Sequence, residues 1–255
     1  PPHIHPLQPL TRSLYFALCI ATGLFSCGFI QAATPTDSEL RILFIGNSYT
    51  GGVRKCLQQT FADTTELQFI TKGGATLSDH LKQPTTIEII QTGNWNFVVL
   101  QEQSQTPALS TDSAASFQQS VRTLSKIIQQ AGASPILYAT WGRRDGDQRN
   151  PKVFPDFETM NDQLSSAYQR AGSAATARVA PVGTAWAQLK QQDEALWRSL
   201  YAQDGSHPST NGAYLTACVF AELFNQDTDH MTAELPLQQQ HLFKAAAKAA
   251  VQSSK

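Results

Sequence analysis

Past residue 33 the chain alternates short apolar runs with segments of helical periodicity, and this alternation limits the folds open to it more than any other feature. The runs fall at residues 41–45 (RILFI), 67–71 (LQFIT), 97–101 (FVVLQ), 135–140 (PILYAT) and 178–180 (RVA). Each is too short for a buried helix and too uniformly apolar for a strand with one wet face, so both faces must be covered. Between them Phe117, Val121, Leu124 and Ile128 recur at intervals of three and four, as do Met160, Leu164 and Tyr168. That spacing makes amphipathic helices facing a sheet, the first ended by Gly132 as a C′ residue. A closing helix is expected over residues 211–224 and another from Pro236 onward. The expected fold class is therefore α/β: a three-layer αβα sandwich around a five-stranded parallel sheet, with the doubly wound order 2-1-3-4-5.

With 255 residues and 41% hydrophobic residues, the chain has material for one sizeable core. Lysine plus arginine number 19 against 20 aspartates plus glutamates, with no long run of one sign. That balance gives no electrostatic footprint for nucleic acid or an anionic membrane surface.

The first thirty residues differ in kind. Arg12 precedes LYFALCIATGLFSCGFI, an uncharged apolar stretch, and QAAT follows. This reads as a secretory signal peptide over residues 1–32, cut ahead of Ala33, with a single domain over residues 33–255. Export to the periplasm or the cell exterior is expected. A membrane anchor is the alternative, as is a lipoprotein modified at Cys27, where Leu24, Phe25 and Ser26 only roughly resemble a lipobox. Removal of Cys19 and Cys27 with the signal leaves Cys56 and Cys218, each about two turns into a helix on the same sheet face. A disulfide between them and a pair of buried thiols are both open readings.

Four segments carry polar residues where strands end. ILFIGNSYT, residues 42–50, stops at Gly46 and presents Asn47 and Ser48. Either residue could cap the following helix, or Ser48 could be a nucleophile at the carboxyl edge of a parallel strand, where open α/β sheets hold their ligands. ITKGGATL contributes Gly73 and Gly74, which turn the chain or let a backbone N–H approach an oxyanion. VVLQEQS brings Gln101, Glu102 and Gln103 to the end of the third strand. DGSHPSTNGAYL, residues 204–215, sets Asp204 three residues before His207. That is an ordinary loop before a capped helix, or a carboxylate that orients an imidazole base for a serine. All four segments lie on one edge of the sheet.

GNSYT, GGATL, VVLQEQS and DGSHP, in this order over nearly the whole mature chain, resemble the four blocks of the SGNH hydrolases, also called GDSL esterases and lipases. The resemblance implies Ser48 as nucleophile, His207 as base and Asp204 as its orienting carboxylate. It also implies an oxyanion hole of the Ser48 N–H, the Gly74 N–H and one side-chain amide. Two departures stand out: Asn47 replaces the family's aspartate, and the third block lacks its glycine-x-asparagine. The amide is then expected from Gln101, with Gln103 as alternate.

The long connection at residues 141–155 follows the fourth strand and lies on the same rim. Trp141 and Arg143 are expected in the site's wall, suited to stacking on or hydrogen bonding to a sugar. The alternative is a solvated loop with a packing tryptophan. No metal set is legible, since His80 and His230 are isolated and His3 and His5 precede the apolar run. No cofactor is expected. A phosphate-binding loop is disfavoured because GNSYTGG lacks the required lysine and glycine spacing. The expected function is an exported serine esterase acting through an acyl-enzyme on a small acyl ester, acetyl foremost, of a small molecule or glycan. The rivals are a lysophospholipase or thioesterase with the same triad, and an inactive glycan-binding module of the same fold.

Overall fold

In the computed structural model the described residues are 40–61, 65–226 and 235–254. The signal-peptide reading and the lipid or anchor alternatives therefore lie outside the described residues, as does His230. The described residues belong to one compact unit.

Its centre is a five-stranded sheet in which every neighbouring pair is parallel, ordered β2-β1-β3-β4-β5. The strands are β1 (Leu40–Gly46), β2 (Thr65–Thr71), β3 (Phe97–Leu100), β4 (Ser134–Tyr138) and β5 (Arg178–Ala180). The sequence-based strand positions agree within two residues at every end. The side chains of β1 alternate faces: Ile42 and Phe44 join one core, Leu43 and Ile45 the other, and all four are fully buried. Burial on both faces is what an all-parallel sheet requires, and it explains why these strands read as unbroken apolar runs.

Helices α1 (Ser48–Thr60), α6 (Val182–Gln192), α8 (Thr210–Leu223) and α9 (Leu237–Ser253) cover the first face. The second is covered by α2 (Leu77–Leu81), α3 (Pro84–Thr92), α4 (Thr111–Gln130) and much of α5 (Phe157–Ala175). Phe117, Val121, Leu124 and Ile128 of α4 are all buried, and Gly132 follows its end with φ +84°. The short helices α2, α3, α6 and α7 (Glu194–Arg198) have no counterpart among the sequence-based helices. Among the described residues no helix is long and apolar enough to cross a membrane.

Cys56 on α1 and Cys218 on α8 face the same core, and both are free thiols. Burial pushes Cys56 up to about 11 and Cys218 up to about 12, so neither forms the reactive thiolate near neutrality. The protein starting at Ala33, unfolded with an alkylating agent and no reductant, should carry two labels by mass spectrometry. An unlabelled pair would mean a bridge.

Candidate active site

The site is assembled on the carboxyl edge of the sheet from the turns after β1, β2 and β3 and the loop before α8. Gly46 ends β1 because no larger residue fits there. A Cβ at this position would stand 2.4 Å from Thr50 Oγ1 and 2.5 Å from Gln101 Oε1. The space is needed for the Gln101 side chain, whose Oε1 accepts from Asn47 N at 2.9 Å and Thr50 Oγ1 at 2.8 Å. Asn47 then caps α1, its Oδ1 accepting from Tyr49 N at 3.1 Å, while its Nδ2 donates to Ala75 O at 3.0 Å. An aspartate could not make that second bond. The cap thus falls to Asn47, and Ser48 stands at the first helical position with its hydroxyl directed elsewhere.

Ser48 Oγ lies 2.9 Å from His207 Nε2, and His207 Nδ1 lies 2.5 Å from Asp204 Oδ2. Asp204 Oδ1 also accepts from the N–H groups of Ser206 and His207 at 2.9 and 3.0 Å. Desolvation opposes ionisation of Asp204, but the His207 bond and these two N–H groups outweigh it and hold the carboxyl below its ordinary value. The structure therefore brings Ser48, His207 and Asp204 into one hydrogen-bonded chain. The loop itself is held by Ala202 N to His207 O at 2.9 Å and Ser209 N to Leu200 O at 2.8 Å.

Gly74 sits on the exposed loop after β2 with φ +69°, and nothing crowds a Cβ there. The backbone conformation, not space, calls for glycine. Neither the Ser48 N–H nor the Gly74 N–H makes a hydrogen bond among the described residues. Two backbone donors are thus available for an oxyanion.

Two expectations are corrected here. Gln101 is fully buried, with its Oε1 spent on the turn between β1 and α1 and its Nε2 donating to Glu102 O, so it supports that turn from beneath and offers no amide to the open site. Gln103 folds onto its own loop: Oε1 accepts from Gln105 N at 2.8 Å and Nε2 donates to Gln105 Oε1 at 3.1 Å. Trp141 is also fully buried and is no wall residue. Its ring stacks between Tyr49, at 4.9 Å and 7°, and Trp186, at 3.9 Å and 4°, and its Nε1 donates to Ser206 O at 3.0 Å. Tyr49 in turn meets His207 edge to face at 5.2 Å and shares a 2.6 Å hydrogen bond with Ser206 Oγ. Each such ring pair adds about 0.5–1.5 kcal/mol beyond area burial. The packing reading of Trp141 is the correct one.

Arg143 does face open space. It lines a cleft of about 190 Å³, with Asp147 and Arg149 beside it and Asp204, Gly205 and Ser206 opposite. Its Nη1 pairs with Asp147 Oδ1 at 2.6 Å, and Asp147 is further fixed by Gln105 and Asn150. Desolvation of Asp147 is overcome by Asn150, Gln105, the Arg149 N–H and Arg143, which hold its carboxyl low and ionised. Sequence reasoning missed Tyr49, Ser206 and Asp147, and placed Glu102 at the end of the third strand without a role. Tyr49 and Ser206 were findable as neighbours of the serine and histidine, whereas Asp147 and Glu102 carry no signature outside the fold. Among the described residues no group of three or more His, Cys, Asp and Glu side chains could hold a metal ion.

Truncation of Trp141 to alanine should lower unfolding free energy in urea by roughly 3–5 kcal/mol, the cost of emptying a core indole. A wall residue would leave stability almost unchanged. Asp204 supplies a second expectation. Because its folded value is lowered, its contribution to stability is complete above the unfolded value of about 3.9 and is lost as pH falls through the lowered folded value. The stability difference between wild type and Asp204→Asn should be constant above about pH 5 and shrink below about pH 4 in urea titrations.

No family model matches the sequence, and no curated protein matches it. Among solved structures, a Slackia heliotrinireducens protein assigned to the SGNH hydrolases is 32% identical, with 72% of this chain and 98% of that chain covered at a TM-score of 0.62. A DUF4886 family protein from Bacteroides uniformis is 16% identical, covering 85% and 96% at a TM-score of 0.66. An acetylxylan esterase from Geobacillus stearothermophilus, solved as a catalytic mutant, is 15% identical, covering 77% and 98% at a TM-score of 0.55. The last two are likenesses of fold. The first, at 32% identity over nearly the whole of that chain, shows that this chain belongs to the SGNH hydrolases.

Proposed function

We propose that the protein is an exported serine esterase that removes a small acyl group, acetyl foremost, from a hydroxyl-rich molecule such as a glycan. The observation that carries the mechanism is the chain from Ser48 Oγ through His207 to Asp204. In this reading Ser48 Oγ attacks the ester carbonyl while His207 Nε2 takes the hydroxyl proton. Asp204 fixes the imidazole with its Nδ1 proton toward the carboxylate and stabilises the imidazolium. The carbonyl oxygen becomes an oxyanion between the Ser48 and Gly74 N–H groups. His207 then returns the proton to the departing alcohol oxygen, leaving an acyl ester on Ser48. Water, deprotonated by His207, attacks that ester; the carboxylic acid leaves and Ser48 regains its proton.

The cleft next to Asp204 supports a polar alcohol over a lipid. It is lined by Arg143, Asp147, Arg149 and backbone-exposing glycines, and an alkyl chain there would leave charged groups desolvated. Several structural neighbours are acetyl xylan esterases, and their fold makes acetylated carbohydrate a consistent substrate class. The cation of Arg143, tied to Asp147, suits hydrogen bonds to vicinal hydroxyls.

A chain-length series of p-nitrophenyl esters tests the proposal. Turnover should be greatest for acetate, and Ser48→Ala should lower kcat by at least about 10³ with the fold intact. A maximum at long chains would transfer the assignment to a lysophospholipase or thioesterase. No turnover by the folded wild type, on these esters or on acetylated glycans, would leave a binding module.

A further inference from the structure

Glu102 is a buried acid that the acyl-transfer steps do not use. It lies directly after Gln101 at the end of β3 and is 1% exposed. No cation pairs with it among the described residues; the titratable groups that face it are Asp79 near α2's start and the Tyr168 hydroxyl on α5. Its carboxylate oxygens both approach Leu77 N at 3.2 Å, and Oε1 accepts from Gln103 N at 2.7 Å. Burial pushes the carboxyl up to about 7, against the pull of these two N–H groups. A lone carboxylate in such a place is costly to keep, and strongly perturbed acids collect at functional sites.

What Leu77 is attached to gives the cost a purpose. The segment from Lys72 to Leu77 carries Gly74, and among the described residues all its N–H groups except those of Gly73 and Gly74 are tied down. Lys72 N donates to Gly46 O at 3.2 Å, Ala75 N to Lys72 O at 3.1 Å, and Thr76 N to Asp79 Oδ2 at 3.0 Å. Asn47 Nδ2 holds Ala75 O from the nucleophile turn, and Glu102 holds Leu77 N from the third strand. His80, one turn into α2, adds a 2.9 Å hydrogen bond from Nε2 to Gly46 O. Gly74 is left with its N–H free at the crest of a loop anchored on both sides.

We propose that Glu102 is a positioning residue that locks the glycine loop to the third strand and so aims the Gly74 N–H at the oxyanion. This rests on the assignment of Ser48 and Gly74 above. Displacement of an oxyanion donor harms the transition state and spares ground-state binding, because charge gathers on the carbonyl oxygen only during attack.

The test is Glu102→Gln beside wild type and Ser48→Ala, with p-nitrophenyl acetate kinetics and thermal unfolding at pH 8. Glutamine keeps the shape but sets an amide NH2 group where Oε2 now faces Leu77 N, so the grip on Leu77, shared between both oxygens, is weakened while Oε1 can still accept from Gln103 N. The expected result is a fall in kcat of about 10- to 100-fold with KM within about twofold, and a Tm equal to or above that of wild type. The Tm is expected to hold because the variant no longer buries an unpaired charge. Glu102→Asp, which keeps the charge but falls short of Leu77 N, should lose kcat as well, and it stands in if the glutamine variant does not fold. Wild-type kcat in a folded variant, or a lowered Tm with kcat per folded molecule unchanged, would overturn the inference and leave Glu102 a packing residue. Full activity in Ser48→Ala would instead remove the assignment on which the inference rests, and the inference with it.

Discussion

The carboxamide of Gln101 is the hinge on which the site depends. It rises from the end of β3 into the space that Gly46 leaves vacant and takes the Asn47 N–H and the Thr50 hydroxyl into one oxygen. The turn between β1 and α1 would otherwise bury these donors without partners, at a cost of about 1–3 kcal/mol each. With them satisfied, α1 can begin at Ser48 and leave that residue's own N–H and hydroxyl unengaged by the turn. A side chain at position 46 and the glutamine cannot coexist, so the two residues form one device divided between neighbouring strands.

Behind the histidine stands a second support. Tyr49, Trp141 and Trp186 stack in parallel, and the edge of this pile meets His207. Polar tips on the pile reach outward: Trp141 Nε1 and Tyr49 Oη both engage Ser206, the residue directly before His207 in the loop's turn. Tyr201, packed against Trp186, donates to Gly142 O at 2.7 Å and ties the same loop to the connection after β4. The imidazole is therefore oriented by a carboxylate in front and by rigid rings behind. Its partners sit on a packed core, which limits the drift that costs acyl-transfer sites most of their rate.

Much of this was legible before folding. Residues 41–45 read as a buried strand because four consecutive apolar residues have only a doubly covered sheet to go to, and β1 is covered on both faces. Ser48, Asp204 and His207 were legible through the resemblance of their blocks to those of the SGNH hydrolases; their local chemistry alone left a helix cap and an ordinary loop open. Gln101 and Trp141 were placed at the right rim but on the wrong side of it. Sequence position fixes where a strand ends to within a residue or two, yet not whether the next side chain turns to solvent or back beneath its neighbour. For Gln101 that choice depended on a void 55 positions away at Gly46; for Trp141, on Tyr49 and Trp186 arriving from other helices.

By itself, then, the sequence determined the parallel αβα sandwich, through apolar runs that only a two-sided burial can satisfy, and the identity of the three residues in the hydrogen-bonded chain. Tertiary structure alone decided their support. Which amide is buried, which tryptophan is a pillar, and that an unpaired Glu102 grips the glycine loop all follow from contacts between segments far apart in sequence. Such contacts depend on distance and exclusion of water in three dimensions, and neither leaves a periodicity or a motif along the chain.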